Sequence, residues 1–156
     1  MGDATTLPDF DLPLGGGGRL RRADLAGRRT VLYFYPKDDT PGCTIEAQEF
    51  TRLRPEFERA GVTVYGVSPD SASSHDRFTA KCELGIPLLS DPERRLVEAL
   101  GLWVQRSRAG RSYMGVDRST FIIGPGLEVE RVWRGVRPEG HAAQVLAAIA
   151  AGAASA

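Results

Sequence analysis

The sequence predicts one α/β domain in which a central mixed sheet is flanked by helices. Short apolar runs alternate with segments of helical periodicity, which is typical of layered α/β structures. The last of these runs is followed by a turn and a second, alternating run, which indicates an antiparallel pair of strands. The 156 residues correspond to a single domain, long enough to bury a core without disulfides or a metal ion.

Three runs rich in β-branched and aromatic residues indicate strands that are covered on both faces. They are VLYFY (31–35), VTVYGV (62–67) and STFIIG (119–124). The turn GPG (124–126) then leads into LEVERVW (127–133), where apolar and polar residues alternate. The alternation predicts that this fourth strand pairs antiparallel to the run before it.

Helical patterns fill the two gaps between these strands. The first helix is expected to begin near Cys43, and Pro55 is expected to kink it or to split it after Arg54. A second helix is expected over residues 72–84, with serines as candidate N-caps.

Two more helices are predicted in the second half of the chain. Asp91 is expected to be the N-cap of the third helix, with Pro92 as its first residue and Gly101 as its stop signal. The last helix is expected from 138 to 151. We expect the two ends of the chain, 1–6 and 152–156, to be frayed.

Composition excludes several classes of function. The 20 basic and 20 acidic residues balance, which argues against a nucleic-acid or membrane-surface partner. The first residues lack the charged and then apolar pattern of a secretory signal, and no run of about 18 apolar residues occurs, so we expect neither a signal peptide nor a span across a bilayer. Two cysteines are too few for a disulfide-stapled secreted scaffold, so we expect a reducing, cytoplasmic setting.

One cysteine follows a strand and a loop with two prolines, PKDDTPGC (36–43), at the place where a helix begins. Ligands of α/β sheets usually bind at this end of a strand. A cysteine in the first turn of a helix faces unpaired N–H groups and the positive end of the helix dipole, and both favour the thiolate. Cys43 is therefore a candidate nucleophile, although a free cysteine is more often a buried, inert residue.

The pattern Pro36-x-x-x-Thr40-x-x-Cys43 resembles the active-site signature of peroxiredoxins. The longer stretch PKDDTPGCTIEA resembles their peroxiredoxin Q, or bacterioferritin comigratory protein, branch. Similar residues continue in PDFDLP near the start, in SPD (68–70), in PLLSD (87–91) and in RSTF (118–121). This resemblance implies a thioredoxin-like fold with an N-terminal extension, and the reduction of hydrogen peroxide or organic hydroperoxides.

The resemblance also implies roles for individual residues. Cys43 corresponds to the peroxidatic cysteine, Thr40 and Arg118 to its activators, and Pro36 to a shield of the pocket. Arg118 opens a buried strand, and its permanently charged guanidinium could hold a thiolate and polarise a peroxide together. Without the resemblance, Arg118 could equally be a surface residue at the edge of a strand.

This chain departs from the branch at the partner of Cys43, because many members carry a second cysteine five residues after the first, where this chain has Gln48. Cys82, on the predicted second helix, remains. By resemblance it would attack the Cys43 sulfenic acid and form an intramolecular disulfide, although it could also be a core residue. Because bonded cysteines need Cα atoms within about 7 Å, we expect oxidation to unwind the turn after Cys43, the second helix, or both.

The expected enzyme is a monomeric peroxidase without cofactor or metal, re-reduced by thioredoxin or a similar dithiol protein. His75 and His141 lack the short ligand spacings of a zinc site, and we interpret them as a hydrogen-bonded helix residue and a surface residue. Two alternatives remain. One is a single-cysteine peroxidase with a structural Cys82, and the other is a non-enzymatic redox sensor or holdase.

Overall fold

A computed structural model describes the backbone of residues 6–155 and the side chains of residues 6–152. Within these residues the structure contains nine strands and four α-helices. The strands are β1 (Asp11–Pro13), β2 (Arg19–Arg21), β3 (Arg29–Phe34), β4 (Val62–Ser68), β5 (Leu88–Ser90), β6 (Trp103–Arg108), β7 (Arg111–Val116), β8 (Ser119–Ile123) and β9 (Val129–Trp133). The helices are α1 (Pro41–Arg59), α2 (Ala72–Cys82), α3 (Arg95–Ala99) and α4 (His141–Ser155), and a 3-10 turn spans Arg22–Leu25.

The central sheet has five strands in the order β5-β4-β3-β8-β9. β3 pairs parallel to β4, and β4 pairs parallel to β5. On the other side, β3 pairs antiparallel to β8, which in turn pairs antiparallel to β9. The predicted mixed sheet and its closing hairpin are thus confirmed, and β3, which leads into Cys43, lies at the centre.

Both faces of β3 are covered, as its continuous apolar run predicts. Val31 and Tyr33 point into a core formed with α1, α2 and α4. Leu32 and Phe34 point into a second core on the opposite face of the sheet, together with side chains from the N-terminal extension and from α3. The alternation of successive side chains between the two cores follows from the two-residue period of a strand.

Two hairpins outside the central sheet escape prediction. β1 pairs with β2, and β6 pairs with β7, both antiparallel. β6 and β7 are largely exposed and polar, with the sequence RSRAGRS (106–112) at their tip, so they lack the apolar alternation that predicts a strand.

Pro55 does not split the first helix, because α1 runs without a break from Pro41 to Arg59. Pro55 is exposed, so water can solvate the carbonyl that loses its partner there. Phe50 and Phe57, on either side of it, are fully buried in the same core and hold both halves of the helix to the sheet.

The predicted start of the third helix is wrong, since α3 begins at Arg95 and not at Pro92. Arg94 adopts a left-handed conformation, with φ of 59°, which ends a turn before the helix. Asp91 Oδ2 still accepts a hydrogen bond from the Val97 N–H at 2.9 Å, so its side chain caps α3 although the residue lies before the turn that precedes the helix. Gly101, with φ of 73°, follows the end of the helix as predicted.

The ends of the chain were expected to be frayed. Residues 1–5 and 156 lie outside the described part. Thr6 forms an isolated bridge with Glu128, and the backbone of 152–155 continues α4. Among the described residues, no helix has both the length and the apolar character needed to cross a membrane.

Candidate active site

Cys43 is the third residue of α1, which begins where the chain leaves the carboxyl end of β3. Thr40 is the N-cap and has an extended backbone, and Pro41 occupies the first helical position. The N–H groups of Gly42 and Cys43 lie in the first turn and therefore have no carbonyl partner within the helix. The Cys43 thiol, with the residue only 2% exposed, thus faces the positive end of the α1 dipole.

Arg118 is brought to Cys43 by the pairing of β8 with β3. Phe34, the last residue of β3, pairs with Ser119, so the preceding Arg118 lies beside the loop that leads into α1. Its Nη2 is 3.4 Å from the Cys43 Sγ. The structure therefore brings together the two residues that the sequence analysis paired.

Glu46 is a member of the site that the sequence analysis missed. It lies three residues after Cys43, and Arg118 Nη1 donates to its Oε1 at 2.7 Å. Glu46 is completely buried, and its other oxygen, Oε2, has no hydrogen-bond partner. The spacing of three on a helix that begins at the nucleophile was the available signal, because such residues share a face.

The charges of Arg118 and Glu46 depend on each other. Burial raises the pKa of Glu46 to about 7, although the Arg118 guanidinium acts in the opposite direction. Burial alone would lower the pKa of Arg118, but Glu46 and Cys43 hold that pKa above its ordinary value. Arg118 is therefore a permanent cation that divides its donors between a carboxyl group and a sulfur atom.

Thr40 donates its hydroxyl hydrogen to the Lys37 carbonyl oxygen at 2.8 Å. This bond fixes the side chain and leaves lone pairs of Oγ1 free to accept a hydrogen bond. Pro36 is half-buried at the start of the loop. At Gly42 the chain is close-packed, since a methyl group there would lie 3.3 Å from Arg118 Nη2 and 3.2 Å from Pro138 Cγ.

Asp38 anchors the loop, a feature that sequence reasoning did not identify. Tyr35 Oη donates to Asp38 Oδ1 at 2.6 Å, and Ser74 Oγ donates to Oδ2 at 2.8 Å. The backbone N–H of Asp38 donates to Asp70 Oδ2 at 2.7 Å. His75 completes the shell, with Nδ1 at 2.7 Å from Asp38 Oδ2.

Cys82 is the last residue of α2 and is half-buried. It packs against the core that includes Cys43, and both thiols are free. Gln48, five residues after Cys43, is exposed. On α2, His75 and Phe78 are buried, as expected from their spacing along one face.

Both histidines are buried and hydrogen-bonded, and the interpretation of His141 as a surface residue is wrong. His141 is buried, with Nε2 at 2.8 Å from Thr120 Oγ1 and Nδ1 at 3.0 Å from Gln144 Oε1. Burial lowers its pKa below the ordinary value. Within the described part of the chain, no three His, Cys, Asp or Glu side chains are arranged to hold a metal ion.

Comparisons with known proteins identify relatives that cover most of the chain. The model of the AhpC/TSA family matches residues 4–132. Peroxiredoxin Bcp of Xanthomonas campestris pv. campestris is 45% identical over 144 residues, which span 91% of this chain and 90% of the relative. The structure of X. campestris bacterioferritin comigratory protein, studied for its alkyl peroxide reduction activity, has a TM-score of 0.87 at 43% identity over 92% of each chain. Xylella fastidiosa PrxQ, solved as a cysteine-to-serine mutant, has a TM-score of 0.92 at 39% identity over 98% of each chain.

The similarity extends over nearly the whole chain, so it includes the sheet, the loop and all four helices. The thioredoxin-like peroxiredoxin fold that the resemblance implied is confirmed. The chain belongs to the AhpC/TSA family, within its peroxiredoxin Q and Bcp group, and is a thiol-dependent peroxidase.

Proposed function

We propose that this peroxidase reduces hydrogen peroxide and organic hydroperoxides through the thiolate of Cys43. The observation that supports the proposal best is the contact of 3.4 Å between Arg118 Nη2 and the Cys43 Sγ, at the first turn of α1. A buried thiol has little reason to ionise unless a cation and oriented N–H groups stabilise the negative charge. Both are present here. The alkyl peroxide reduction studied in the X. campestris protein supports the inclusion of organic hydroperoxides.

In the first step, the Cys43 thiolate attacks one oxygen of the O–O bond. A bond forms between sulfur and that oxygen while the O–O bond breaks, and the leaving alkoxide or hydroxide takes up a proton. In this proposal, Arg118 and the first-turn N–H groups stabilise the charge that develops on the oxygens, and Thr40 accepts a hydrogen bond from the peroxide. The products are a sulfenic acid on Cys43 and an alcohol or water.

In the second step, we propose that Cys82 attacks the sulfur of this sulfenic acid. The S–S bond forms, the S–O bond breaks and water is released. Thioredoxin or a similar dithiol protein then reduces the disulfide and restores both thiols. In this proposal the enzyme works as a cytoplasmic monomer, and Pro36 shields the pocket from solvent.

Because bonded cysteines need Cα atoms within about 7 Å, we expect the approach of the Cys82 sulfur to Cys43 to unwind the last turn of α2, the first turn of α1, or both. Cys82 is only half-buried, and Glu83 after it adopts a left-handed conformation, with φ of 54°, which is unfavourable for a residue other than glycine, so opening of the last turn would relieve this strain. The thiols are both free in the folded state.

One equivalent of hydrogen peroxide, followed by mapping of the peptides by non-reducing mass spectrometry, tests the cycle. We expect a Cys43–Cys82 disulfide in the wild type and a persistent Cys43 sulfenic acid in Cys82→Ser. A sulfenic acid that persists in the wild type would instead assign a single-cysteine cycle with a structural Cys82.

Turnover separates the enzyme from a redox sensor. With thioredoxin, thioredoxin reductase and NADPH, a peroxidase consumes many equivalents of peroxide, and Cys43→Ser abolishes this consumption. A protein that stops after one equivalent under these conditions would contradict the proposed cycle.

A further inference from the structure

A buried hydrogen bond joins Asp38, in the loop before Cys43, to His75 on α2. His75 is completely buried on α2, and the Asp38 side chain is 4% exposed. The His75 Nδ1 is 2.7 Å from Asp38 Oδ2, and its Nε2 is 2.9 Å from the Leu89 carbonyl oxygen. Both ring nitrogens are thus engaged by partners from two other elements.

These partners determine how many protons the ring carries. A backbone carbonyl can only accept a hydrogen bond, and so can an ionised carboxylate. Although burial disfavours the carboxylate, hydrogen bonds from His75, Tyr35 and Ser74 hold the pKa of Asp38 below its ordinary value. With Asp38 ionised, both acceptors call for N–H donors, so the hydrogen-bond geometry fits a doubly protonated ring beside a carboxylate.

His141 provides an internal contrast. Its nitrogens face the Thr120 hydroxyl, which can donate or accept, and the Gln144 amide oxygen. One ring proton satisfies both contacts, so a neutral ring fits this site. The partners of the two histidines thus differ, because two acceptors face His75 whereas a hydroxyl that can donate faces His141.

The position of the pair connects the two cysteine-bearing segments. Asp38 lies in the loop two residues before Thr40 and five before Cys43, and His75 lies on α2 seven residues before Cys82. Two other contacts join the loop to α2. Ser74 Oγ donates to the same Asp38 Oδ2 at 2.8 Å, and the ion pair of Lys81 with Asp39, at 2.9 Å, is exposed and therefore weak. Of the three contacts, only that of His75 with Asp38 joins two buried side chains.

We propose that His75 is a positioning residue that holds the Cys43 loop in its peroxide-reactive geometry and restrains α2 at the same time. The pair then acts on the two chemical steps in opposite directions. It speeds the attack on peroxide, which needs a rigid loop, and it slows disulfide formation, which needs α2 to open. The second effect rests on the proposed role of Cys82.

The test measures the two steps separately in wild type and His75→Ala. Peroxide consumption by Cys43 is followed in a Cys82→Ser background, where no disulfide can form. Disulfide formation is followed with both cysteines present, by alkylation at timed intervals after a saturating pulse of peroxide. We expect the first rate to fall and the second to rise in His75→Ala, each by at least about tenfold, which is the effect of one charged buried hydrogen bond.

A matched control separates positioning from a general loss of stability. Val97 is fully buried in the second core, on the opposite side of the sheet from Cys43. Val97→Ala should lower the melting temperature without changing either rate more than about twofold, and both variants are compared at equal distance below their melting temperatures. If His75→Ala leaves both rates as in Val97→Ala, or lowers both together, the inference is wrong.

Two further results keep the inference testable on its own. If the wild type forms no Cys43–Cys82 disulfide, the proposed resolution fails, and the peroxide step alone decides whether His75 positions the loop. Asp38→Asn preserves the shape of the site, and ring ¹⁵N NMR should then show one proton on His75 instead of the two expected in wild type. A single proton on His75 in the wild type would contradict the ion pair.

Discussion

Removal of the Arg118 guanidinium should have two effects that can be measured apart. The first is on stability, because Arg118→Met leaves Glu46 buried without its cation. Loss of one partner of a buried ion pair costs about 3–5 kcal/mol. Since burial already raises the pKa of Glu46 to about 7, the carboxyl can take up a proton, so we expect a value near the lower limit, about 3 kcal/mol at pH 8. For a chain of this length that is a fall of roughly 6–12 °C in melting temperature.

The second effect is on chemistry. Arg118 Nη2 is the charged donor closest to the Cys43 sulfur, at 3.4 Å, and removal of one such donor from a charge-stabilising site costs about a hundredfold or more in rate. The rate constant of thiol oxidation, measured by stopped flow under excess peroxide at pH 8, should fall by about that factor.

The double variant Arg118→Met/Glu46→Gln separates the two effects. A neutral amide replaces the uncompensated carboxylate, so about 2 kcal/mol of stability should return, while the oxidation rate stays low. Glu46→Gln alone should retain most of the rate, because Arg118 keeps its place beside the sulfur. Recovery of the wild-type oxidation rate in the double variant would refute the reasoning, since Arg118 would then act only through the fold.

Three other substitutions test single contacts. Because burial raises the pKa of Glu46 from 4.5 to about 7, folding favours its protonated form, and wild-type stability should fall by up to about 3 kcal/mol as the pH rises from 4.5 through 7. The free energy of unfolding of Glu46→Gln, measured by urea titration, should not fall over this pH range. An equal fall in the variant would mean that another group causes it. Thr40→Val removes the hydroxyl that bonds to Lys37, and should slow thiol oxidation at least about tenfold while Thr40→Ser does not; equal rates in both would exclude a role for the hydroxyl. Gly42→Ala places a methyl group 3.3 Å from Arg118 Nη2 and should displace the guanidinium, so the rate of thiol oxidation should fall by roughly several-fold without loss of stability. An unchanged oxidation rate would show that the guanidinium shifts without consequence.

The local pattern of the chain predicts the parts of the fold that are buried on both faces. Continuous apolar runs predict β3, β4 and β8, because a strand that is covered on both faces has no solvent-exposed side on which polar residues would be favoured. The β6–β7 hairpin could not be predicted, since its exposed strands are under no such constraint. Pro55 shows the opposite case, where two buried phenylalanines outweigh a local helix breaker.

The site divides in the same way. The position of Cys43 at a helix start, and the loop with Thr40 before it, could be predicted because they are adjacent in sequence. Glu46 was not predicted to be buried, and His141 was predicted to be exposed, because a single polar residue on a helix carries no local signal of what packs over it.

The sequence by itself determined that Cys43 begins a helix after a buried strand, and that the loop between them is rigid and polar. These are short-range properties, fixed by proline, by helix capping and by strand periodicity. The resemblance named Arg118 as an activator of Cys43, but only the tertiary structure shows that its guanidinium, 75 residues later in the chain, meets the sulfur, and that His75 meets Asp38 in a buried pair. Both contacts depend on the register of β8 against β3 and on the packing of α2, and they form because buried charged groups must find partners from other elements.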